Sequence, residues 1–380
     1  MSPVIDILGQ LVRINSVNPE WGGPGECGVV DWLTDHLKHA GIEFTRQEVL
    51  PGRENVIARL PGRDSGRALV LEAHMDTVSV ADMTGDPFGA RIESGRMWGR
   101  GTCDTKAGLA AMLQAMASLK DDGLQPPVDV ILAAVVDEEH AYRGVTVFIE
   151  SLGDGTLPEA AVVAEPTGLR VVRANKGVLR WRILAHGRSA HSSTPALGAS
   201  AISAMADVIK AIDGDQNPLM HPLVGSPTCS IGVITGGRQV NFVPDECVIT
   251  LDRRLLPGEA ATDVLQHYDH LLDPVRQAHP RCRIESEPAF LSDEAMETPA
   301  DAAVVTTASR VLAAMGLPAD PVGVPFGCDC TKLSRAGIPA VIFGPGSIDQ
   351  AHTADEHVEL EQVERAFDFY RRFLLDFGNP

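Results

Sequence analysis

The most restrictive feature of this sequence is a continuous apolar run, VDVILAAVV, at residues 128–136. Runs rich in β-branched residues and free of polar interruptions are typical of strands buried on both faces, as in parallel sheets covered by helices. The run ends abruptly at three acidic residues, Asp137, Glu138 and Glu139. An isolated acidic triplet of this kind is usually a solvated loop. If the triplet is buried, however, each carboxylate disfavours ionisation of the others, and a compensating positive charge is required.

Strand-like runs alternate with helical periodicity over the first 170 residues. Such alternation predicts an α/β fold with a mostly parallel sheet that helices cover on both faces. A short amphipathic helix is expected at the N-terminus, with Pro3 in its first turn. Strands are predicted at 55–62, 68–77, 128–139 and 160–168. Further helices are predicted at 25–41 and 106–123.

The pattern changes near Arg173 and changes back near residue 290. Between these points, alternating runs predict half-buried antiparallel strands, with helices at 198–212 and 259–278. The length of 380 residues also favours two domains, because single cores stop growing near roughly 250–300 residues. We therefore predict an α/β domain interrupted by a smaller α+β domain. The predicted bounds are 1–173 and 288–380 for the α/β domain and 174–287 for the insertion.

Composition excludes several classes of protein. A net charge of −19 argues against nucleic acid or an anionic membrane surface as partner. The apolar runs are too short to span a bilayer, and the N-terminal residues lack the features of a signal peptide. Seven cysteines without a repeated spacing favour reduced thiols and a cytoplasmic location. Cys328 and Cys330 flank Asp329 too closely for a zinc knuckle, so we interpret them as packing or near-site residues.

Residue types that bind metals recur where the predicted strands or their loops end. The carboxyl ends of parallel strands meet at one edge of an open α/β sheet, and ligand sites form at that edge. Asp76 follows His74 by two positions, so both would point to the same side of an extended strand, and Asp76 could accept a hydrogen bond from the imidazole. The residues predicted to gather there are His74, Asp104, Glu138, Glu139, Glu165 and His352.

Five motifs, EAHMDTV, GRGTCDTKAG, DEE, AEPTG and GPGSIDQAHTADEHVEL, resemble in order and spacing those of a family of zinc-dependent amidohydrolases. That family includes acetylornithine deacetylase, succinyl-diaminopimelate desuccinylase, aminoacylase and bacterial glutamate carboxypeptidase. The resemblance extends from about residue 5 to residue 375. It implies a catalytic domain interrupted by a smaller lid domain that is used for dimerisation, which agrees with the layout predicted above.

The resemblance also implies two zinc ions per chain, for which cobalt could substitute. His74 and Glu165 would complete the ligands of one ion, Glu139 and His352 those of the other, and Asp104 would bridge the two. The positive charge of the ions would then balance the carboxylates that follow the apolar strand.

The matching residues of the family also suggest two catalytic roles. Glu138 would be the general base that takes a proton from water and passes it to the departing amine, and Asp76 would orient His74. We expect Glu138 and Glu139 to diverge as neighbours on an extended chain, so that one faces the metals and the other faces the water.

The inserted domain carries three further residues that match the family. His191 would reach the site of the other subunit in a homodimer and stabilise the developing oxyanion. Asn241 and Arg254 would contact the carboxylate of the substrate, for which the planar guanidinium is well shaped. A solvated strand-end charge remains the alternative for Arg254, and Arg253 is predicted to be the more solvated of the two arginines.

The choice of substrate depends on finer features. Position 165 is Glu, where Asp is the alternative, and in this the sequence resembles the deacylases and carboxypeptidases more than the dipeptidases. The segment 336–360 is most similar to acetylornithine deacetylase. GCDC and DTKAG depart from the usual motifs. We therefore expect N-acetyl-L-ornithine or a similar small N-acyl amino acid, with succinyl-diaminopimelate or another N-acyl amino acid or dipeptide as alternatives. A zinc-binding protein without catalysis is the alternative from another class.

Overall fold

A computed structural model describes residues 2–153, 155 and 157–379 of the chain. The chain divides into two compact units. The first unit comprises Met1–Arg173, Glu297–Val322 and Cys328–Pro380, and the second comprises Ala174–Met296 and Gly323–Gly327.

The chain up to residue 175 alternates strands and helices. Helix α1 begins at Pro3, which is suited to the first turn because its missing N–H would have no partner there. The helices are α1 (Pro3–Val12), α2 (Cys27–His39), α3 (Ala107–Asp121), α4 (Glu138–Ala141) and α5 (Arg143–Ser151). The strands are β1 (Glu43–Leu50), β2 (Arg53–Leu60), β3 (Asp64–His74), β4 (Arg91–Glu93), β5 (Arg96–Trp98), β6 (Val128–Val135), β7 (Ala160–Val163) and β8 (Val172–Asn175).

The second unit is built on an antiparallel sheet backed by helices. Its strands are β9 (Gly177–His186), β10 (Thr228–Gly236), β11 (Glu246–Leu255), β12 (Arg283–Ser286) and β13 (Leu291–Asp293). Its helices are α6 (Ala201–Asp213), α7 (Ala261–Leu271) and α8 (Asp273–Ala278). The single helix predicted over 259–278 is therefore two helices, because Pro274 lies in the first turn of α8 and cannot continue α7.

The second unit extends to Met296, whereas the sequence placed its end at residue 287. The difference arises because β13 pairs with β9 over Leu291–Asp293 and so belongs to the antiparallel sheet. β10 lies at one edge of that sheet, in the order β10-β11-β9-β12.

The remaining elements follow Asp293 along the chain, and most of their residues belong to the first unit. They are β14 (Met296–Glu297), α9 (Ala303–Ala314), β15 (Val322–Val324), α10 (Cys330–Arg335), β16 (Ala340–Ile342), β17 (His357–Glu359) and α11 (Leu360–Asp376). None of the helices in the described residues combines the length and the apolar character needed to cross a membrane.

The sheet of the first unit is mixed, with a parallel centre. Seven of its strands follow the order β1-β2-β6-β3-β7-β16-β8. The four central strands, β6, β3, β7 and β16, are parallel to one another. On one side β2 pairs antiparallel with β6 and β1 with β2, and on the other side β8 pairs antiparallel with β16. Buried side chains from α1, α2, α3, α9 and α11 complete the core against this sheet. The α/β prediction is confirmed, and the parallel centre brings the carboxyl ends of four strands to one edge.

Candidate metal centre

The predicted site residues of the first unit lie beyond the carboxyl ends of the central strands. His74 is the last residue of β3, Glu138 and Glu139 follow β6, and Glu165 follows β7. His352 lies in the loop between β16 and β17, and Asp104 lies in the turn before α3. The topology thus places the residues at the edge that the sequence pattern predicted, where α/β sheets form ligand sites.

Within the described part of the chain, two groups of side chains have the spacing of metal ligands. One is His74, Asp104 and Glu165, the other is Asp104, Glu139 and His352, and the ligand atoms of each group lie within 4.8 Å of one another. Each group offers one imidazole nitrogen and two carboxylates, which are ligands that zinc accepts. The donor set therefore fits two divalent cations.

Asp104 belongs to both groups through different oxygens. Its Oδ1 lies 3.0 Å from Nε2 of His74, and its Oδ2 lies 3.2 Å from Nε2 of His352. The same nitrogen of His74 lies 3.9 Å from Oε1 of Glu165, and that of His352 lies 3.1 Å from Oε1 of Glu139. The carboxylate of Asp104 is thus placed to bridge two cations.

The electrostatics of the site favour bound cations. Burial and the repulsion of Asp104 raise the pKa of Glu165 well above its ordinary value, and the same two causes raise the pKa of Glu139 to about 7. Hydrogen bonding to Asp104 and Glu139 raises the pKa of His352 to about 10. Burial and mutual repulsion thus disfavour the ionised forms of these carboxylates. Bound cations would offset the repulsion between the negative charges.

Close packing positions the turn that carries Asp104. Gly108 brings the start of α3 so near β7 that a Cβ there would lie 2.5 Å from Cβ of Ala164. The hydroxyl of Thr105 donates a hydrogen bond of 2.7 Å to the carbonyl of Ala164. Since Ala164 immediately precedes Glu165, these contacts hold Asp104 beside its partner in the first group.

The acidic triplet is a helical turn and not the extended segment that we predicted. Asp137 has a φ of 68°, in the left-handed region, and the helical turn α4 begins at Glu138. The carboxylate of Asp76 accepts the backbone N–H of Glu138 at 3.1 Å and that of Glu139 at 3.2 Å. Glu139 joins the second ligand group, whereas Glu138 is a member of neither group among the described residues.

The orientation of His74 differs in detail from the prediction. Its Nδ1 lies 3.0 Å from the backbone oxygen of Asp76, and the carboxylate Oδ1 of Asp76 is farther away, at 3.6 Å. β3 ends at His74, so Asp76 lies beyond the extended strand that the prediction assumed. Asp76 therefore contacts His74 mainly through its carbonyl and uses its carboxylate to hold the two glutamates.

A buried polar network behind the acidic triplet was not predicted. Nδ2 of Asn18 donates to Asp76 at 2.7 Å and to Asp137 at 3.1 Å. Arg53 donates to Glu26 at 2.5 Å and to Asp137 at 2.9 Å. These residues are far apart in sequence and match no spacing rule, and only the fold brings them together.

His191 and Asn241 lie close together in the second unit. His191 forms an isolated bridge with Phe242, and the carbonyl of Asn241 accepts the N–H of Ser192 at 2.9 Å. The backbone N–H of Ser193 donates to Nδ1 of His191 at 3.2 Å. Nδ1 of His191 also lies 2.8 Å from Oγ of Ser193. With Nδ1 as the acceptor of both contacts, the neutral imidazole carries its proton on Nε2, which can then donate a hydrogen bond.

The two arginines of β11 are arranged opposite to the prediction. Arg253 is buried, with 1% exposure, and its Nη2 donates to Glu259 at 2.9 Å. Arg254 is half-buried, and its Nε donates to Asp252 at 2.8 Å. The two side chains point to opposite faces of β11, as the alternation predicted. Arg253, and not Arg254, lies on the buried face.

Cys328 and Cys330 are buried in the first unit, and burial raises the pKa of both thiols well above the ordinary value. Neither residue belongs to the ligand groups found among the described residues. Both thiols are buried in the interior, which agrees with the interpretation of the two cysteines as packing or near-site residues.

Comparison with known proteins gives consistent matches over most of the chain. Residues 70–376 match peptidase family M20/M25/M40. The chain is 33% identical over 374 residues to an acetylornithine deacetylase of Myxococcus xanthus, and the alignment covers 92% of each chain. Among solved structures, aminopeptidase PepT from Bacillus cereus has a TM-score of 0.82 at 21% identity, with 99% of this chain and 98% of that chain covered. A Bacillus subtilis protein described as a dinuclear metal-binding peptidase has a TM-score of 0.73 at 17% identity, covering 98% and 96%.

Proposed function

Because the chain belongs to peptidase family M20/M25/M40 and is therefore a metal-dependent hydrolase acting on amides, we propose that it is a di-zinc enzyme that cleaves N-acyl amino acids. The preferred reaction converts N-acetyl-L-ornithine to L-ornithine and acetate. The position of Asp104 between two ligand groups is the observation that supports the two-metal arrangement most strongly. The acetylornithine deacetylase relative, which aligns over 92% of the chain, supports the substrate.

The proposed ligands divide into two sets that share one residue. His74, Asp104 and Glu165 would hold one zinc ion, and Asp104, Glu139 and His352 would hold the other. When bound, such a metal pair polarises the scissile carbonyl and lowers the pKa of water. Cobalt is expected to substitute, since both ions accept nitrogen and oxygen ligands.

Glu138 is the proposed general base. It begins the helical turn next to ligand Glu139, and Asp76 holds the backbone N–H of both residues. Burial raises the pKa of Glu138 well above its ordinary value. We propose that its carboxylate takes a proton from the attacking water and passes it to the departing amine nitrogen.

Three residues of the second unit are proposed to bind the substrate. Nε2–H of His191 would donate to the developing oxyanion, as the contact of Nδ1 with Ser193 allows. Asn241 and Arg254 would bind the substrate carboxylate, for which the half-buried guanidinium of Arg254 retains exposed donors.

The free state of all seven cysteines supports a cytoplasmic location.

A panel of amides tests the proposed substrate. Zinc-loaded protein is expected to hydrolyse N-acetyl-L-ornithine with a higher kcat/KM than N-succinyl-diaminopimelate, N-acetyl derivatives of other amino acids or simple dipeptides. Amine release, measured by liquid chromatography, gives each value. A preference for the succinyl substrate would replace the deacetylase with a desuccinylase. Binding of zinc and substrate without release of any amine would favour a binding protein that has lost catalysis.

The second unit also offers a surface for dimerisation. β10 is an edge strand, and most of its residues are exposed, including Val233 and Ile234 at 56% each. An exposed apolar edge of this length is open to pairing with a second copy around a two-fold axis. We propose a homodimer through this edge, in which His191 of one chain completes the site of the other.

Complementation of two inactive variants tests this assembly. His191→Ala and Glu138→Gln are each expected to fold, bind two metals and turn over poorly. After subunit exchange, a heterodimer would contain one site with both an intact Glu138 and an intact partner His191. Random mixing gives about half heterodimers with one intact site of two, so about a quarter of wild-type activity is expected.

Native mass spectrometry of the mixture provides the control for exchange. If heterodimers form and activity stays at the background of the two variants, His191 does not act across subunits. If the wild-type chain is monomeric in the same measurement, the proposed dimer itself is wrong.

A further inference from the structure

Glu356 is a buried acid whose role the proposed mechanism does not explain. It lies just before β17, with 0% exposure. Its Oε1 accepts the backbone N–H of Cys103 at 2.9 Å and that of Asp104 at 3.1 Å. Its Oε2 accepts the backbone N–H of Gly101 at 3.1 Å and Nη1 of Arg100 at 2.7 Å. One carboxylate thus binds most of the turn that ends at Asp104.

These four partners all donate hydrogen bonds, so the position requires a group that only accepts them. An ionised carboxylate has two oxygens and about four lone-pair sites, and this number equals the number of donors present. The charge of Glu356 is balanced by Arg100, which is itself buried, with 2% exposure. Hydrogen bonds to a charged acceptor of this kind are about twice as strong as neutral ones.

The same residue connects the turn to the segment that carries His352. Only three residues separate Glu356 from His352, and the backbone carbonyl of Glu356 accepts the N–H of Gly99 at 3.1 Å. Glu356 therefore contacts the Asp104 turn at both ends through its side chain and its backbone. A shift of its carboxylate would move Asp104 relative to His74 and His352 together.

We propose that Glu356 is a positioning residue that fixes the carboxylate of Asp104 where both ligand groups use it. The inference rests on the proposed two-metal function, because it assigns Glu356 a role through a ligand common to both metals. Residues that orient metal ligands typically change metal affinity by about 10–100-fold when they are replaced. Since Asp104 belongs to both groups, both sites are expected to weaken, and not one alone.

Glu356→Gln tests the proposal, because the glutamine keeps the shape but turns an N–H₂ donor toward other donors. Glu359→Gln is the matched control. Glu359 lies three residues further along the chain in β17, and its ion pair with Arg96 is exposed on both sides. Full-length metal-free protein is titrated with zinc and with cobalt by calorimetry, and the visible spectrum of the cobalt protein reports the ligand geometry.

The expected result is a loss of about 10–100-fold in affinity at both sites of Glu356→Gln, an altered cobalt spectrum, and wild-type behaviour of Glu359→Gln. Wild-type affinities and spectrum in a folded Glu356→Gln, or loss at a single site, would overturn the inference. If Glu356→Gln does not fold, Glu356→Asp decides in the same way, since it keeps the charge and withdraws the carboxylate by one methylene. A wild-type chain that binds no metal would instead refute the proposed function.

Discussion

Glu138→Gln is expected to lower kcat by about 10²–10⁴ while both metals remain bound, the usual loss when a general base is removed. Glutamine keeps the size of the side chain and cannot accept a proton at neutral pH. The ligand groups omit Glu138, and the backbone N–H that Asp76 accepts is unchanged by the substitution. Steady-state kinetics with N-acetyl-L-ornithine, together with metal analysis of the same sample, measures both quantities.

Glu139→Gln is the matched comparison, because it makes the same chemical change one residue away. Glu139 belongs to the second ligand group, with its Oε1 3.1 Å from Nε2 of His352. Its replacement is expected to lower the bound metal from about two per chain toward one, since a neutral amide is a weaker ligand than a carboxylate. Near-normal turnover by Glu138→Gln, or loss of metal from Glu138→Gln and not from Glu139→Gln, would contradict the two assignments.

The location of the site was predictable because it depends on local patterns and one topological rule. Apolar runs ending at His74, Glu138 and Glu165 indicated strands, and the carboxyl ends of parallel strands necessarily share one edge. The family motifs then indicated which residues at that edge are expected to be metal ligands. The structure brings His74, Asp104, Glu139, Glu165 and His352 into two groups around one shared carboxylate.

The local conformation of the acidic triplet was not predictable in the same way. A left-handed residue, Asp137, ends the strand and starts a helical turn, although no glycine marks the position. The direction of Arg253 was also missed, because alternation along a strand separates neighbours but does not say which face is buried. Both features depend on packing with distant segments.

Residues whose hydrogen bonds surround the candidate metal centre are the least visible in the sequence. Asn18, Arg53 and Glu356 make hydrogen bonds to residues 27 to 256 positions away along the chain. A buried charge is rare in general, but sequence alone does not show which charges will be buried. Only the folded chain shows that each has a full set of partners.

Metal removal should have the largest effect on activity. Dialysis against a chelator is expected to abolish amide hydrolysis, because without cations the clustered carboxylates repel one another and the carbonyl is not polarised. His74→Ala and His352→Ala should each lose metal from a different group. Circular dichroism of the metal-free samples provides the control that the chain remains folded.

The most direct test of the proposed function is a zinc titration of the metal-free enzyme, with turnover of N-acetyl-L-ornithine recorded against bound zinc measured by mass spectrometry. Activity is expected to rise from background and reach its maximum at about two zinc ions per chain, and cobalt should give the same stoichiometry. Full turnover by rigorously metal-free protein, or a chain that binds two zinc ions and releases no amine from any N-acyl amino acid, would contradict the proposal.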